Sequence, residues 1–299
     1  MNHLPPPSTP NSENLPEPGL YIVATPIGNL RDMTLRALDT LMAADVIACE
    51  DTRVTTKLKN AYGLKAPLIS YHNHNEEKAT ARLINILKEG DKIVALVSDA
   101  GTPLMSDPGY RVTKACIDEG LPVVSIPGAC ASITALTLSG LPVHRFLFNG
   151  FLPAKTHARK EELKALADIP STLVFYESAH RILACLKDIH TVFGDRDAVI
   201  AREMTKRFEE VIRAPLSGLI EHCQNQDKLK GEITLVVAPP DKDANAASPT
   251  EIDNMLLSAV NDDNMSVKDA AAHVAEMTGQ KKRTLYNRLL QLQNDNDTE

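Results

Sequence analysis

Residues 93–109 read IVALVSDAGTPLMSDPG, and this stretch decides the fold. Five consecutive apolar residues without polar alternation describe a strand buried on both faces, the kind found in parallel sheets covered by helices. The run empties at once into a Gly-Thr-Pro turn and an Asp-Pro-Gly turn, followed by a helical pattern over 110–119. Open parallel sheets bind ligands outside the carboxyl ends of their strands, so a turn-rich loop at that point is expected to face a ligand. Upstream and downstream the same alternation repeats. Short apolar runs at 20–24, 46–49 and 123–126 are separated by helical patterns at 35–42 and 79–87. Strand and helix in alternation predict an α/β fold with a parallel sheet.

Four loops share one character: ATPIGNLRDMT (24–34), CEDTR (49–53), SDAGTPLMSDPG (98–109) and IPGACAS (126–132). Each follows a strand-like run, so all four are expected on one edge of the first sheet. Any one alone reads equally well as a structural turn; four together favour a pocket. None is a GxGxxG fingerprint or a GxxxxGK[ST] phosphate loop, which argues against a dinucleotide oxidoreductase or a nucleotide hydrolase. Backbone amides at Gly101, Thr102 and Ala129 are placed to cradle an adenosine-type ligand that carries no phosphate.

A second α/β unit is expected after Phe148-Asn149-Gly150, with strands at 172–176, 198–202 and 232–238 and a clear helix at 182–189. The stretch 203–212 is ambiguous, and antiparallel pairing is open to it because the connections there are short. Residues 1–18 are proline-rich and read as a disordered arm. The division that follows is 19–145 for the first α/β domain, 146–240 for a mixed-sheet second domain, 241–250 for a linker and 251–295 for a small helical domain. In the last, Ser266 is a good N-cap and Thr278-Gly279 a good stop before a Lys-Lys-Arg helix. A helix-turn-helix unit and a simple packing or dimerisation appendage fit this pattern equally.

The bulk composition narrows the class further. The chain has 299 residues, 43% of them hydrophobic, and a formal charge of -7. That charge argues against coating nucleic acid by charge alone, while leaving local basic faces possible. The sequence shows neither a bilayer-spanning run nor a signal-peptide pattern, so a cytoplasmic location is expected. Five cysteines without CxxC spacing suit reduced thiols, and no metal is expected. His72 and His74 alternate on one side of an extended strand; without a third ligand they read as substrate contacts or hydrogen-bonding groups.

Taken in order over 19–238, ATPIGNLRDMT, CEDTR, SYHNHNE, SDAGTPLMSDPG, IPGACAS, FYESAHR, AREMTK and GEITLVV resemble the tetrapyrrole-methylase-like class of S-adenosylmethionine methyltransferases. Within it the chain is most similar to the ribosomal RNA small subunit methyltransferase I family. That resemblance implies S-adenosylmethionine as cofactor, folded into a cleft between two α/β domains, and a homodimer. It also implies 2′-O-methylation of a decoding-centre cytidine in 16S rRNA, within the 30S subunit, and no membrane partner. Carried over position by position, it places Pro26 at the first cofactor loop and Gly101, Thr102 and Met105 around the methionine moiety. Asp99 then supplies a carboxylate from a position shifted relative to the tetrapyrrole enzymes. Cys130 and Ala131 provide backbone contacts, and Tyr176, Met204, Ile233 and Thr234 close over adenosine. Two departures from the family pattern are Ala179, where Pro is usual, and Phe208, where His is usual.

Methyl transfer to a ribose hydroxyl requires alignment and removal of a proton that ionises far above neutral pH. Asp32, Glu50, Asp51, Arg53 and His72 on the first-domain rim are possible catalytic groups; Glu177 and His180 are their second-domain counterparts. The blander reading of Glu50 with Arg53, and of Arg202 with Glu203, is a loop-fixing ion pair. Arg181, Arg202, Lys206, Lys281, Lys282 and Arg283 are expected to hold RNA phosphates. The runner-up function is methylation of a small molecule on the same fold, and a third reading is a non-catalytic RNA-binding or assembly factor.

Overall fold

The computed structural model describes residues 16–226, 229–241, 249–261, 265–278 and 280–296, with the side chains of 249, 251 and 294–296 excluded. The α/β class read from 93–109 is the one the chain adopts. Strands β1 (Gly19–Val23), β2 (Val46–Cys49), β3 (Leu68–Ser70), β4 (Ile93–Val97) and β5 (Val123–Ile126) form a parallel sheet in the order β3-β2-β4-β1-β5. Helices α1 (Leu35–Ala43) and α2 (Thr52–Tyr62) cover one face, packing Leu38, Leu41 and Tyr62 onto Tyr21, Ile47 and Val97. Helices α3 (Glu76–Leu87) and α4 (Tyr110–Asp118) cover the other, packing Leu83, Leu87, Val112 and Cys116 onto Leu20, Val94 and Leu96. Alternate residues of one strand thus enter opposite cores, which is why the strand sequences are apolar throughout.

The strand order creates a switch point. From β1 the chain moves toward β2 through α1 on one face, and from β4 it moves toward β5 through α4 on the other. β1 and β4 are neighbours, so a crevice opens between their carboxyl ends, where such sheets bind ligands.

Helix α5 (Ala131–Ser139) leaves β5 but packs on the second sheet instead of the first, through Ala135 and Leu136 against Val174, Val199 and Val236. Its Ile133 is exposed. The second sheet runs β6 (Phe146–Phe151), β7 (Thr172–Ser178), β10 (Glu232–Val237), β8 (Asp197–Arg202), β9 (Glu210–Pro215). Only β6 and β7 are parallel; the other pairings are antiparallel. Its far face is covered by α6 (Thr156–Leu166), α7 (Ile182–Phe193) and α8 (Leu216–Gln224), with Leu163, Leu186 and Leu219 fully buried.

Several local readings change. Phe148-Asn149-Gly150 does not divide two units; it lies inside β6, where the pairing with β7 shifts register between Phe148 and Gly150. The ambiguous stretch 203–212 splits into a turn followed by β9, paired antiparallel to β8. Arg159, in a sequence stretch that also carries Lys155, His157 and Lys160, is 3% exposed and bonded to Asp188 on α7. The arm expected at 1–18 falls largely outside the described residues; within it, the Glu17 carbonyl accepts a hydrogen bond from the Tyr21 hydroxyl at 2.8 Å.

The chain divides after Pro239 into two compact units. The second contains α9 (Pro249–Asn261), α10 (Val267–Thr278) and α11 (Lys282–Asn296) around a core of its own, with Leu256, Ala270, Ala271 and Leu289 fully buried. Ser266 caps α10, accepting from the Asp269 amide at 3.2 Å and donating to the Asp269 carboxylate at 2.6 Å. The stop expected at Thr278-Gly279 is half visible: α10 ends at Thr278, and Gly279 lies outside the described residues. Among the described residues no helix is long and apolar enough to cross a membrane.

Candidate functional site

The loop after β4 is fixed before any ligand arrives. Thr25, just past β1, and Gly101 exchange backbone hydrogen bonds at 2.8 and 3.1 Å, bridging the two strands that flank the switch point. The Ser98 hydroxyl donates to the Gly101 carbonyl at 3.1 Å, and the Thr102 hydroxyl to the Ala129 carbonyl at 3.0 Å, tying in the loop after β5. Leu104 and Ser106 take left-handed backbone conformations with φ near 71° and 72°. Glu203 and Thr205, on the loop after β8, do the same with φ of 50° and 66°. Non-glycine residues in this region are costly and cluster where the surrounding structure holds a loop in a required shape.

These two loops face one cavity of about 360 Å³ between the sheets, within the size range of small-molecule sites. The first sheet contributes Ile27 and the loop 99–107, α5 contributes Ala131, and the second sheet contributes Tyr176, Met204, Ile233 and Thr234. Of the positions assigned to the cofactor by resemblance, Asp99, Gly101, Thr102, Met105, Ala131, Tyr176, Met204, Ile233 and Thr234 thus line one cavity. Pro26 and Cys130 do not. Pro26 is buried one residue before Ile27. Cys130 occupies the N-cap of α5 with its thiol 3.1 Å from the Ser132 hydroxyl. Tyr176 is positioned by the Ser132 amide, which donates to its hydroxyl at 3.2 Å, and by edge-on contacts with Phe148 and Phe151.

The electrostatics of the cavity are one-sided. Asp99, Asp107, Glu177 and Glu232 line it, and among the described residues no Lys, Arg or His does. Asp99 accepts the Asp51 amide at 3.0 Å, yet burial keeps its carboxyl above the ordinary range. Burial, and then the charges of Glu50 and Asp99, push Asp107 up to about 6. Glu177, 3% exposed, accepts from the Ser178 amide at 2.8 Å and pairs with Arg181 at 3.3 Å. Sequence reasoning missed Asp107, because an Asp between Ser and Pro-Gly reads as a turn former. The signal was the sheet edge it shares with Glu50 and Asp99.

The proposed catalytic and RNA-contacting positions scatter. Asp32 is exposed on the short 3₁₀ turn Leu30–Asp32 and does not line the cavity. Asp51 caps α2 through the Arg53 amide at 2.8 Å and chelates the Arg53 guanidinium, which holds its carboxyl down at about 2. Glu50 is half-buried behind Asp99, and burial raises its carboxyl. Arg202 pairs with Glu210 at 2.8 Å, opposite it in the β8–β9 register. Lys206 bridges Glu203 at 2.9 Å and Glu232 at 2.8 Å. Arg181 also donates to the Leu152 carbonyl at 2.7 Å. Lys281, Lys282 and Arg283 are exposed at the start of α11 in the separate helical unit. His72 and His74 stand with ring centroids 6.0 Å apart, and the buried Nδ1 of His72 has no hydrogen-bond partner.

A parallel sheet with a fixed loop at its switch point, facing a mixed sheet across an anionic cavity, is the arrangement of a known class. Residues 19–220 match the family model of Tetrapyrrole (Corrin/Porphyrin) Methylases. Among solved structures, diphthine synthase superposes with a TM-score of 0.58 at 19% identity, covering 73% of this chain and 89% of that one. Uroporphyrin-III C-methyltransferase from Thermus thermophilus, complexed with S-adenosyl homocysteine, gives 0.51 at 19% identity, covering 73% and 96%. Nearer in sequence is Ribosomal RNA small subunit methyltransferase I of Mesorhizobium japonicum, 50% identical over 277 residues and covering 92% of both chains. The protein of that name from Haemophilus influenzae is 48% identical over 271 residues, covering 89% of this chain and 94% of its own. Residues 246–293 match the model of the RsmI C-terminal HTH domain. The chain belongs to the ribosomal RNA small subunit methyltransferase I family, and its cofactor is S-adenosylmethionine.

The residues present fit that cofactor. A cavity walled by Ile27, Met105, Met204 and Ile233, carrying carboxylates and, among the described residues, no cation, suits a ligand with an adenine ring, an ammonium and a sulfonium and no phosphate.

Proposed function

We propose that this protein methylates the ribose 2′-hydroxyl of a decoding-centre cytidine in 16S rRNA. The single observation that carries the reading is the cavity at the switch point, anionic and without a phosphate-binding cation, in a chain half identical to a small-subunit rRNA methyltransferase. When bound, S-adenosylmethionine supplies an electrophilic methyl group on a sulfonium centre. Gly101, Thr102 and Met105 hold its methionine end, with Asp99 placed for the ammonium. Ala131, Tyr176, Met204, Ile233 and Thr234 enclose adenosine. The apolar wall of Ile27, Met105, Met204 and Ile233 leaves the positive charge weakly solvated, which keeps the methyl group reactive.

The same reading takes Lys281, Lys282 and Arg283 as phosphate contacts. Arg202 and Lys206 already spend their charge on Glu210, Glu203 and Glu232, so they are assigned to shaping the loop after β8. The 30S particle is the proposed substrate, since a chain of net charge -7 gains little from naked RNA by charge alone. A homodimer is also part of the proposal; Leu35, 76% exposed, and Val124 on the edge strand β5 offer an apolar face for a second copy. A cytoplasmic location goes with a ribosomal substrate.

Labelled methyl transfer tests the particle preference. Incorporation from S-adenosylmethionine is expected to be at least tenfold faster into 30S subunits than into protein-free 16S rRNA at equal concentration and about 0.15 M salt. Equal rates would contradict it.

A further inference from the structure

We infer that Phe151 is the surface on which the target nucleobase stacks, an assignment that rests on the methyl-transfer reading above. The position of the ring follows from an irregularity in the strand that carries it. Phe148 lies opposite Val174 in the β6–β7 pairing and shares its side of the sheet, toward α5. In an unbroken strand Gly150 would take that side next, and Phe151 would fall on the other, in the core that Leu147 enters. The pairing instead slips by one residue between Phe148 and Gly150, which brings Phe151 opposite Tyr176. A slip of one residue moves every later side chain to the opposite face. Leu152 thereby takes the core position, 2% exposed, and Phe151 is turned to the cavity. The slip is fixed from the other sheet as well, because a Cβ on Gly150 would stand 2.7 Å from the Ser106 hydroxyl oxygen in the loop after β4.

The sheet thus forgoes burying a large apolar ring and presents it at the cavity mouth. Phe151 is 55% exposed, and among the described residues its ring contact is an edge-on one with Tyr176, centroids 5.7 Å apart. Five aromatic side chains are exposed among the described residues, and of these Phe151 alone lines the cavity. The residues proposed to enclose adenosine, Ala131, Tyr176, Met204, Ile233 and Thr234, are buried or half-buried, so the outward ring is left for a second ligand.

Charge and connectivity decide what that ligand presents. The cavity carries Asp99, Asp107, Glu177 and Glu232 and, among the described residues, no Lys, Arg or His. A phosphate is repelled from such a site, so a nucleotide enters by its uncharged parts, the ribose and the base. The base is attached to the ribose carbon next to the one that bears the 2′-hydroxyl. A hydroxyl delivered into the cavity therefore leaves its base near the mouth, where the ring stands. A nucleotide drawn out of its RNA stack loses stacking on both faces, and an aromatic side chain restores it on one. Phenylalanine carries no hydrogen-bonding group, so it holds a base in place without choosing among bases.

The test uses the full-length protein and 30S subunits lacking the modification, with Phe151→Ala, Phe151→Leu and Phe151→Tyr beside the wild type. For Phe151→Ala, kcat/KM for subunits is expected to fall about 10- to 100-fold, the range seen when a base loses its aromatic partner. Phe151→Leu, apolar but not flat, should lose nearly as much, whereas Phe151→Tyr should stay within threefold of wild type. S-adenosylhomocysteine affinity by calorimetry should stay within threefold in all three. A readout independent of turnover is photocrosslinking from p-benzoylphenylalanine placed at position 151, with S-adenosylhomocysteine bound. The crosslink is expected on 16S rRNA at the nucleotide that the wild type methylates or at its immediate neighbours. Full activity of Phe151→Leu, a loss of cofactor affinity as large as the loss of rate, or a crosslink to ribosomal protein alone would each overturn the assignment. Failure of the wild type to label the subunits would instead sink the methyl-transfer reading itself.

Discussion

Gly101→Arg is expected to weaken S-adenosylhomocysteine binding by more than 100-fold, with the fold retained. Gly101 is buried with φ of +80°, and both of its backbone polar groups are committed to Thr25. The peptide cannot turn to relieve a side chain without breaking the bridge that closes the switch point. A Cβ at this position sits 3.1 Å from Ile27 Cγ2 and 3.5 Å from the Ala129 carbonyl, so even the first carbon of a side chain is pressed by the cavity wall. Everything beyond it must extend into the cavity, which offers only about 360 Å³. The guanidinium would also seek Asp99 or Asp107, the groups that make the cavity attractive to a cation. The stability cost is smaller, about 1–2 kcal/mol for a non-glycine residue in the left-handed region. Calorimetry gives the affinity and a melting curve the stability. Affinity within threefold of wild type would mean that the ligand does not lie against this loop. Gly101→Ala separates the two effects, since it carries the backbone strain with little of the occlusion.

Asp188→Ala is expected to destabilise the main unit by about 3–5 kcal/mol, as found when one partner of a buried ion pair is removed. Arg159 is 3% exposed and Asp188 7%, and Arg159 Nε donates to Asp188 at 2.8 Å. The remaining guanidinium protons go to the Pro153 and Ala154 carbonyls at 3.2 Å and to Thr156, so the pair also pins the loop between β6 and α6. Without the carboxylate, a cation is left inside the protein; Lys160, 3.5 Å from Asp188, loses its partner too but can turn to solvent. Removing both charges in Arg159→Met/Asp188→Leu should be the milder change, because no uncompensated ion remains. The urea midpoint at constant slope measures both. A shift below about 1 kcal/mol for Asp188→Ala, or a double variant worse than the single one, would show that the pair is not an electrostatic unit.

The parts of the molecule that were legible in the sequence are those written locally. The unbroken apolar run 93–97 announced a central strand, and Gly and Pro after each of four runs placed four loops on one edge. β3 was not visible, since three residues, Leu-Ile-Ser, carry no period. β6 was hidden because Asn149-Gly150 reads as a turn, whereas the sheet uses the glycine, with φ of +69°, to carry a register shift. Two cavity-lining residues of a single loop, Gly101 and Thr102, were readable for the same reason, whereas Met105 came only through the family resemblance. What could not be read was pairing between distant segments. That Arg202 meets Glu210 follows from the β8–β9 register, and that Lys206 meets Glu232 follows from placing β10 beside β8; neither spacing is encoded nearby. Asp107 belongs to this group, since its chemistry is set by Glu50 and Asp99, which only the fold brings beside it.

The most direct test of the central claim is to treat 30S subunits from a strain lacking this gene with the purified protein and S-adenosylmethionine, then digest the RNA with nuclease and identify the new nucleoside by mass spectrometry. The account predicts a single product, 2′-O-methylcytidine, absent when the cofactor is omitted. A methyl group found on a base, or none in RNA despite measured cofactor binding, would contradict it.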